Sequence, residues 1–373
     1  MTNLRWGRCI YHLGQHTDKF LREYLSQPDR RVLLVAGAGF DPRSTAVARH
    51  IAQYADGRAR GYFVREERPR PDAELVARGD QNEEALRRLL PDCSVIRLDV
   101  FAADNAVVGG RTAVGLVSDL AIDDLTDLFV DFSALSIGVA FPIVRYLLTV
   151  TERQGLNLHL LVAENPGTDA EIRSTPTDVA DAVHGFKGGW GLDARSRAAR
   201  LWMPQLARGK RPVLERIRQR VQPHAFCPIL PFPADDDPRL PDRLIEHYSE
   251  EFENTWRVDS RDIVYASQRS PLDLYRTILR MDDSRKRVFA DIGGSQIILS
   301  PVGSKALAVG ALMAALERDF TIMYVETLSY SVNFAHLDAV WGAQTAELVH
   351  VWLSGEAYAP HGSREDAEWK NSP

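Results

Sequence analysis

The stretch RRVLLVAGAGFDPRSTAVARHI, residues 30–51, decides the reading of this chain. Its first part, Val32 to Ala36, is apolar without alternation, the pattern of a strand covered on both faces. Gly37 and Gly39 then permit a tight turn. Asp41 and Pro42 form a helix start, with the acid placed to cap and the proline in the first turn. Strand, glycine turn and helix start together put unpaired backbone N–H groups and a positive dipole end at one point, which suits a phosphate or carboxylate.

Working outward, short β-branched runs alternate with longer helical patterns. Strands are expected at residues 31–37, 61–66, 93–100, 127–135 and 157–165, separated by RSTAVARHIAQYA, NEEALRRLL and GVAFPIVRYLLTVTERQG. Strand and helix in alternation imply a parallel sheet. The expected fold is α/β: a Rossmann-like, doubly wound, mainly parallel sheet with a C-terminal α/β portion. The corresponding map has an N-terminal helical segment (1–27), the Rossmann-like domain (28–170), a loop-rich connecting or insertion region (171–222), the C-terminal portion (223–360) and a polar tail (361–373). No internal repeat is visible. The run AHLDAVWGAQTAELVHVWLSG reads as helical, with Trp341, Leu348, Val351 and Trp352 closing the core or docking a partner.

The chain has 373 residues, of which 45% are hydrophobic and 26% charged, enough for a substantial core. Its net charge of -6 gives no global reason to bind nucleic acid as main partner or an anionic membrane. Cys9, Cys93 and Cys227 are odd in number and far apart, as in a reducing compartment, so the expected location is cytoplasmic. No stretch approaches the ~20 apolar residues of a spanning helix.

Other features have two readings. GFKGGWG, residues 185–191, is a surface loop or a flap carrying Lys187 and Trp190 over a ligand. Asp235, Asp236 and Asp237 cap the helix that follows or hold a hard cation. His12 and His16 are spaced like neighbours on a helix but lack a third ligand, and read as a solvated pair. Asp131 and Ser133 end a strand where open α/β sites form; Asp131 is a pocket residue or a turn cap.

The second informative block is GGSQIILSPVGSKALAVGALMAALERDFTIMYVET, residues 293–326. Gly303, Ser304 and Lys305 offer backbone N–H groups, a hydroxyl and an ammonium at a helix start. A lysine in the first turn opposes the helix dipole, which favours a ligand role over a purely structural one. The run LSPVGSKALAVGALMAALERDFTIMYV resembles the corresponding turn and Ala-rich helix of CARF domains, Rossmann-like modules that bind oligoadenylate second messengers in prokaryotic antiviral systems. By that resemblance Gly303, Ser304 and Lys305 contact phosphates or riboses, and Gly37 to Ser44 form the opposing edge. The wide separation of the two motifs departs from a simple domain of that kind.

A competing resemblance attaches to VLLVAGAGFDPR, which is similar to the GAGxDxR turn of leucine carboxyl methyltransferase-like enzymes. It implies S-adenosylmethionine as cofactor, with Gly37 and Gly39 at the backbone approach and Arg43 on the cofactor carboxylate. Glu66 or Glu67 would then take the ribose, and Asp99 would lie near the adenine. Read from the residues alone, Asp41 is alternatively a simple N-cap, and Arg43 pairs locally or points to solvent.

There is no GxSxG, HExxH or GxxxxGK[ST] motif. The expected function is binding of a small anionic nucleotide-type ligand, an oligoadenylate among the options, at the carboxyl ends of the strands, in a sensor or component of antiviral defence or signalling. A methyltransferase and a non-catalytic interaction subunit with a protein partner or homo-oligomer are the alternatives. The expected ligand-binding set is Gly37, Gly39, Asp41, Arg43, Ser44, Asp131, Ser133, Gly303, Ser304 and Lys305.

Overall fold

A computed structural model describes residues 4–188, 198–234, 237–343 and 346–358. The chain begins with a short edge strand, β1 (Tyr11–Leu13), and helix α1 (Gln15–Leu25). A first α/β unit then runs β2 (Val32–Gly37), α2 (Ala46–Ala55), β3 (Ala59–Glu67), α3 (Ala73–Leu89), β4 (Cys93–Asp99), α4 (Gly109–Ser118), β5 (Asp127–Asp131), α5 (Ile137–Gln154) and β6 (Asn157–Glu164). Strands β2, β5 and β6 are buried along their whole length, the burial that their unalternating apolar runs require.

Residues 171–222, expected to be loop-rich, are largely regular. Helix α6 (Pro166–Glu171) leads into β7 (Ile172–Ala182), and β8 (Ala199–Pro204) and α7 (Arg211–Val221) follow. Strand β7 escaped notice because it pairs along one side only and alternates exposed Arg, Thr and Asp residues. The chain continues through β9 (Ala225–Phe226), β10 (Ile229–Pro231), α8 (Leu240–His247), β11 (Val264–Ala266), α9 (Pro271–Phe289), β12 (Ser295–Ser300), α10 (Lys305–Arg318), β13 (Thr321–Val332), α11 (Phe334–Ala343) and β14 (Glu347–Ser354). The reading of residues 347–354 as helix is thus corrected: they form a strand with seven of eight residues buried.

The two larger sheets repeat one topology. The first has the order β1-β14-β6-β5-β2-β3-β4 and the second β7-β13-β12-β8-β9. Four of the five parallel strands of the first, β6-β5-β2-β3, match β13-β12-β8-β9 of the second in relative chain order, and in each an antiparallel strand joins beside the last strand in chain order of the four. Helices α5 and α10 occupy matching positions. The repeat is one of topology, which side-chain identity does not record, so no sequence period announces it.

The antiparallel strands are exchanged between the units. The chain leaves β6 through α6 to add β7 to the second sheet, and leaves β13 through α11 to add β14 to the first. One apolar core runs through both units, joining Val130 and Leu160 to Met203, Leu299 and Leu312. Helix α10 lies inside it, with every residue from Ala306 to Ala315 buried. A helix covered on all sides has no polar face, which accounts for its uniform small and apolar composition. No helix among the described residues is long and apolar enough to cross a membrane.

Candidate functional site

The carboxyl ends of strands from both sheets face one cleft of about 500 Å³. The turns after β2, β3 and β5 form one wall; those after β8 and β12, with residues of β13 itself, form the other. This is where open α/β sheets take ligands, because helix N-termini and loop N–H groups collect at that edge. The Gly39–Arg43 and Gly303–Lys305 turns, far apart in sequence and one from each unit, both line it.

In the turn after β2, Asp41 caps the helical segment by accepting from the Arg43 backbone N–H at 2.9 Å. It also receives the Arg43 guanidinium, from Nε at 3.0 Å and Nη2 at 2.7 Å. Nη1 of Arg43 donates to Asp169 at 2.8 Å. Burial opposes the charge of Arg43, but Asp169 and Asp41 outweigh it and raise its pKa well above the usual value. Arg43 is therefore a buried organiser of the wall with each guanidinium nitrogen on a carboxylate. Gly39 lines the cleft with open space where a Cβ would stand. Gly37 and Ser44 do not line it, a correction to the expected set. A Cβ on Gly37 would lie 3.0 Å from the Ala134 backbone, and the fully buried Ser44 hydroxyl donates to backbone carbonyls of its own turn.

On the opposite wall Ser304 caps α10 by accepting from Leu307 N–H at 3.2 Å, and Gln205 accepts from Gly303 N–H at 3.2 Å. Glu164, at the end of β6, accepts from Ala306 N–H at 2.6 Å. Lys305 donates to the Leu135 carbonyl across the cleft and lies over the Phe132 ring at 5.1 Å. Lys210, before α7, donates to Ser174 Oγ at 3.2 Å. Among the described residues neither lysine has a carboxylate at ion-pair distance. Burial lowers the pKa of each, in Lys305 aided by Arg43, while Asp169 acts in the opposite direction on both. Two hemmed-in ammonium groups whose charge is incompletely answered make this wall receptive to an anion.

The turn after β5 is the counterpart of the Lys305 turn. Ser136 is the N-cap of α5, yet its hydroxyl makes no cap bond and has no partner among the described residues, although the residue is 8% exposed. Its backbone N–H donates to Glu66 Oε1 at 2.7 Å. Arg68 links the two walls, donating to Glu66 at 2.9 Å and Glu326 at 3.2 Å. Ser133 lines the cleft, whereas Asp131 lies behind it, fully buried, accepting from Ser133 N–H at 2.9 Å. Burial pushes the Asp131 carboxyl up to about 7. An aromatic pair completes the wall: Phe40 and Tyr330 stand 5.2 Å apart, with the Arg68 guanidinium 5.0 Å from the Tyr330 ring.

Several expected residues lie elsewhere. Glu67 pairs with Arg97 and Arg65, and neither it nor Asp99 reaches the cleft. Lys187 is held near β13, its carbonyl accepting from Thr321 Oγ1 at 2.8 Å, and buried Phe186 anchors the loop away from the cleft; Trp190 lies outside the described residues. Asp235 and Asp236 also lie outside them, while Asp237 lines the cleft and pairs with Arg243. His12 is not half of a solvated pair: its Nδ1 meets His350 Nδ1 at 2.9 Å, and His350 Nε2 meets His159 Nδ1 at 3.0 Å. No group of three or more metal-ligating side chains occurs among the described residues.

Sequence reasoning missed Lys210, Arg68, Ser136, Asp169 and Tyr330. The run GKRP, a glycine turn and a lysine ahead of a proline-started helix, repeats the logic of the Lys305 turn and was the available signal for Lys210. Asp169 and Tyr330 had none, because the strand exchange brings them in.

No protein-family model matches the chain, and no curated protein does. Among solved structures it is similar to a deacetylase of teicoplanin biosynthesis, with 16% identity over 41% of this chain and 77% of that one at a TM-score of 0.28. The N-terminal domain of human METTL16 in complex with SAH gives 10% identity, 43% and 62% coverage and a TM-score of 0.22. The cytoplasmic domain of a prokaryotic cation chloride cotransporter gives 12%, 79% and 95%, and 0.21. Likenesses at this level carry no functional argument.

Proposed function

We propose that the cleft binds an anionic, nucleotide-type ligand. The observation that carries this reading is the pair Lys305 and Lys210, two hemmed-in ammonium groups without an ion-paired carboxylate among the described residues, in the turns after β12 and β8 on one wall of the cleft. Phosphate oxygens supply the missing charge, with α10 contributing its dipole beside Lys305. Phe40 and Tyr330 offer ring faces for a base, and the orphan Ser136 hydroxyl and Glu66 offer partners for sugar hydroxyls. Resemblance of the Lys305 run to CARF domains supports an oligoadenylate as the ligand and a sensing role in prokaryotic antiviral defence or signalling.

A methyltransferase reading places the cofactor carboxylate on Arg43, where it has to replace Asp41 or Asp169. The nucleotide reading is carried by Lys305 and Lys210, which have no carboxylate at ion-pair distance among the described residues. The test is a thermal-shift series with ATP, NAD, S-adenosylmethionine and linear and cyclic oligoadenylates. A ligand at a hundred times its Kd stabilises the fold by about 2.7 kcal/mol. The reading expects a shift with a phosphate-bearing ligand that Lys305→Ala and Lys210→Ala each weaken. A shift with S-adenosylmethionine alone, insensitive to both, favours the methyltransferase. No shift with any of them sinks the nucleotide reading and leaves the interaction subunit.

A further inference from the structure

One half-exposed carboxylate, Asp169, acts on three cations of the cleft. Asp169 ion-pairs with Arg43 at 2.8 Å, and its field also supports the charge of Lys305 and Lys210. Asp41, the other acid on Arg43, is held by three guanidinium contacts as well as a backbone N–H. Asp169 accepts from one Arg43 nitrogen, and its side chain is 41% exposed. It stands on α6, a short helix in the crossover from β6 to β7, in the segment that directly follows Glu164, which accepts from Ala306 N–H.

We propose that Asp169 is an internal competitor for the ligand's anion: its carboxylate holds a position among Arg43, Lys305 and Lys210 that an anionic oxygen of the ligand takes, displacing it toward solvent. This rests on the anion-binding reading of the cleft. The exchange conserves charge around Arg43, so the guanidinium keeps two acidic neighbours, Asp41 and the ligand, and buried charge is never left unpaired. Because Asp169 is on the strand-exchanging segment, its release also loosens a contact between the units at Arg43. Occupancy of the cleft is thereby tied to the crossover.

Calorimetric titration of the full chain with ATP and with inorganic pyrophosphate tests this. Removing the competing charge in Asp169→Asn is expected to tighten both probes about tenfold, the scale of one unit charge at a few ångströms in a partly wet site. Asp169→Glu, which keeps the carboxylate, is expected to bind like the parent chain. Equal or weaker binding by Asp169→Asn overturns the proposal, as does an Asp169→Glu variant that binds as tightly as Asp169→Asn. If the three chains bind equally and Lys305→Ala still abolishes binding, the competitor fails while the cleft stands. If none of them binds either probe, both fail. The far-ultraviolet circular dichroism of each variant confirms that it is folded before titration.

Discussion

Glu164 and Glu326 hold reciprocal places at the join between the two α/β units. Glu164, from β6 of the first, accepts from Ala306 N–H in the first turn of α10 in the second. Glu326, from β13 of the second, lies against Gly138 in the first turn of α5 in the first, so close that a Cβ there would stand within clashing distance of its Oε2. Each carboxylate meets the positive end of the other unit's helix, a favourable placement that also marks the edges of the cleft.

Glu164 is expected to make stability depend on pH. Burial, with Asp169 as a second cause, raises its carboxyl to about 7 from an ordinary 4.5. The native state therefore holds the proton more tightly than the unfolded chain. Its contribution is fully present below about pH 4.5 and is lost as pH rises toward about 7. Glu164→Gln keeps an acceptor for Ala306 and removes the ionisation. Urea denaturation at pH 5 and pH 8 should find the variant close to the parent at pH 5 and more stable at pH 8, by on the order of 3 kcal/mol. A parent-like pH slope in the variant rejects the assignment.

The histidine chain predicts an acid limit of opposite sign. His350 and His159 are fully buried, and burial lowers their pKa, in His350 with help from its histidine neighbours. Their contribution is present above the unfolded value near 6.5 and is lost as pH falls below it toward the lowered native values. His350→Ala, which leaves a cavity and removes the partner of one ring nitrogen on each of His12 and His159, should cost about 2 to 4 kcal/mol at pH 8 and less at pH 5. Thermal melts across this range check both numbers.

Gly310 offers a test of packing against propensity. In an open helix Gly→Ala stabilises by about 1 kcal/mol. Here the new Cβ would fall within clashing distance of the Pro271 carbonyl of α9, which is backbone and cannot swing away. Gly310→Ala is therefore expected to destabilise by about 1 to 3 kcal/mol, read as a lowered denaturation midpoint. A stabilised variant would mean that α9 and α10 are not packed as described.

Tyr330 separates a nucleotide site from a general phosphate site. If the Phe40–Tyr330 pair receives a base, Tyr330→Ala should weaken ATP by about 1 to 3 kcal/mol and leave pyrophosphate unchanged in parallel titrations. Equal losses for both probes would place the ring in a structural role through Arg68.

Local physics made the first α/β unit legible. Unalternating runs such as VLLVAG declare strands buried on both faces, and the Ser304-Lys305 turn announced a helix start that ends at the cleft. The sequence by itself determined the α/β class, both glycine-bearing turns and the Asp41 cap, because each depends on residues within a few positions of one another. It did not determine that Gly37, Ser44 and Asp131 are packing and second-layer residues, since a turn motif carries no record of which side is covered. The internal repeat, the exchange of β7 and β14, and the meeting of Arg43, Lys305, Lys210 and Asp169 were decided only by the tertiary structure. Those features arise from pairing between strands far apart in the chain, where hydrogen-bonding backbone and buried area set the partner and side-chain pattern states only that a strand exists.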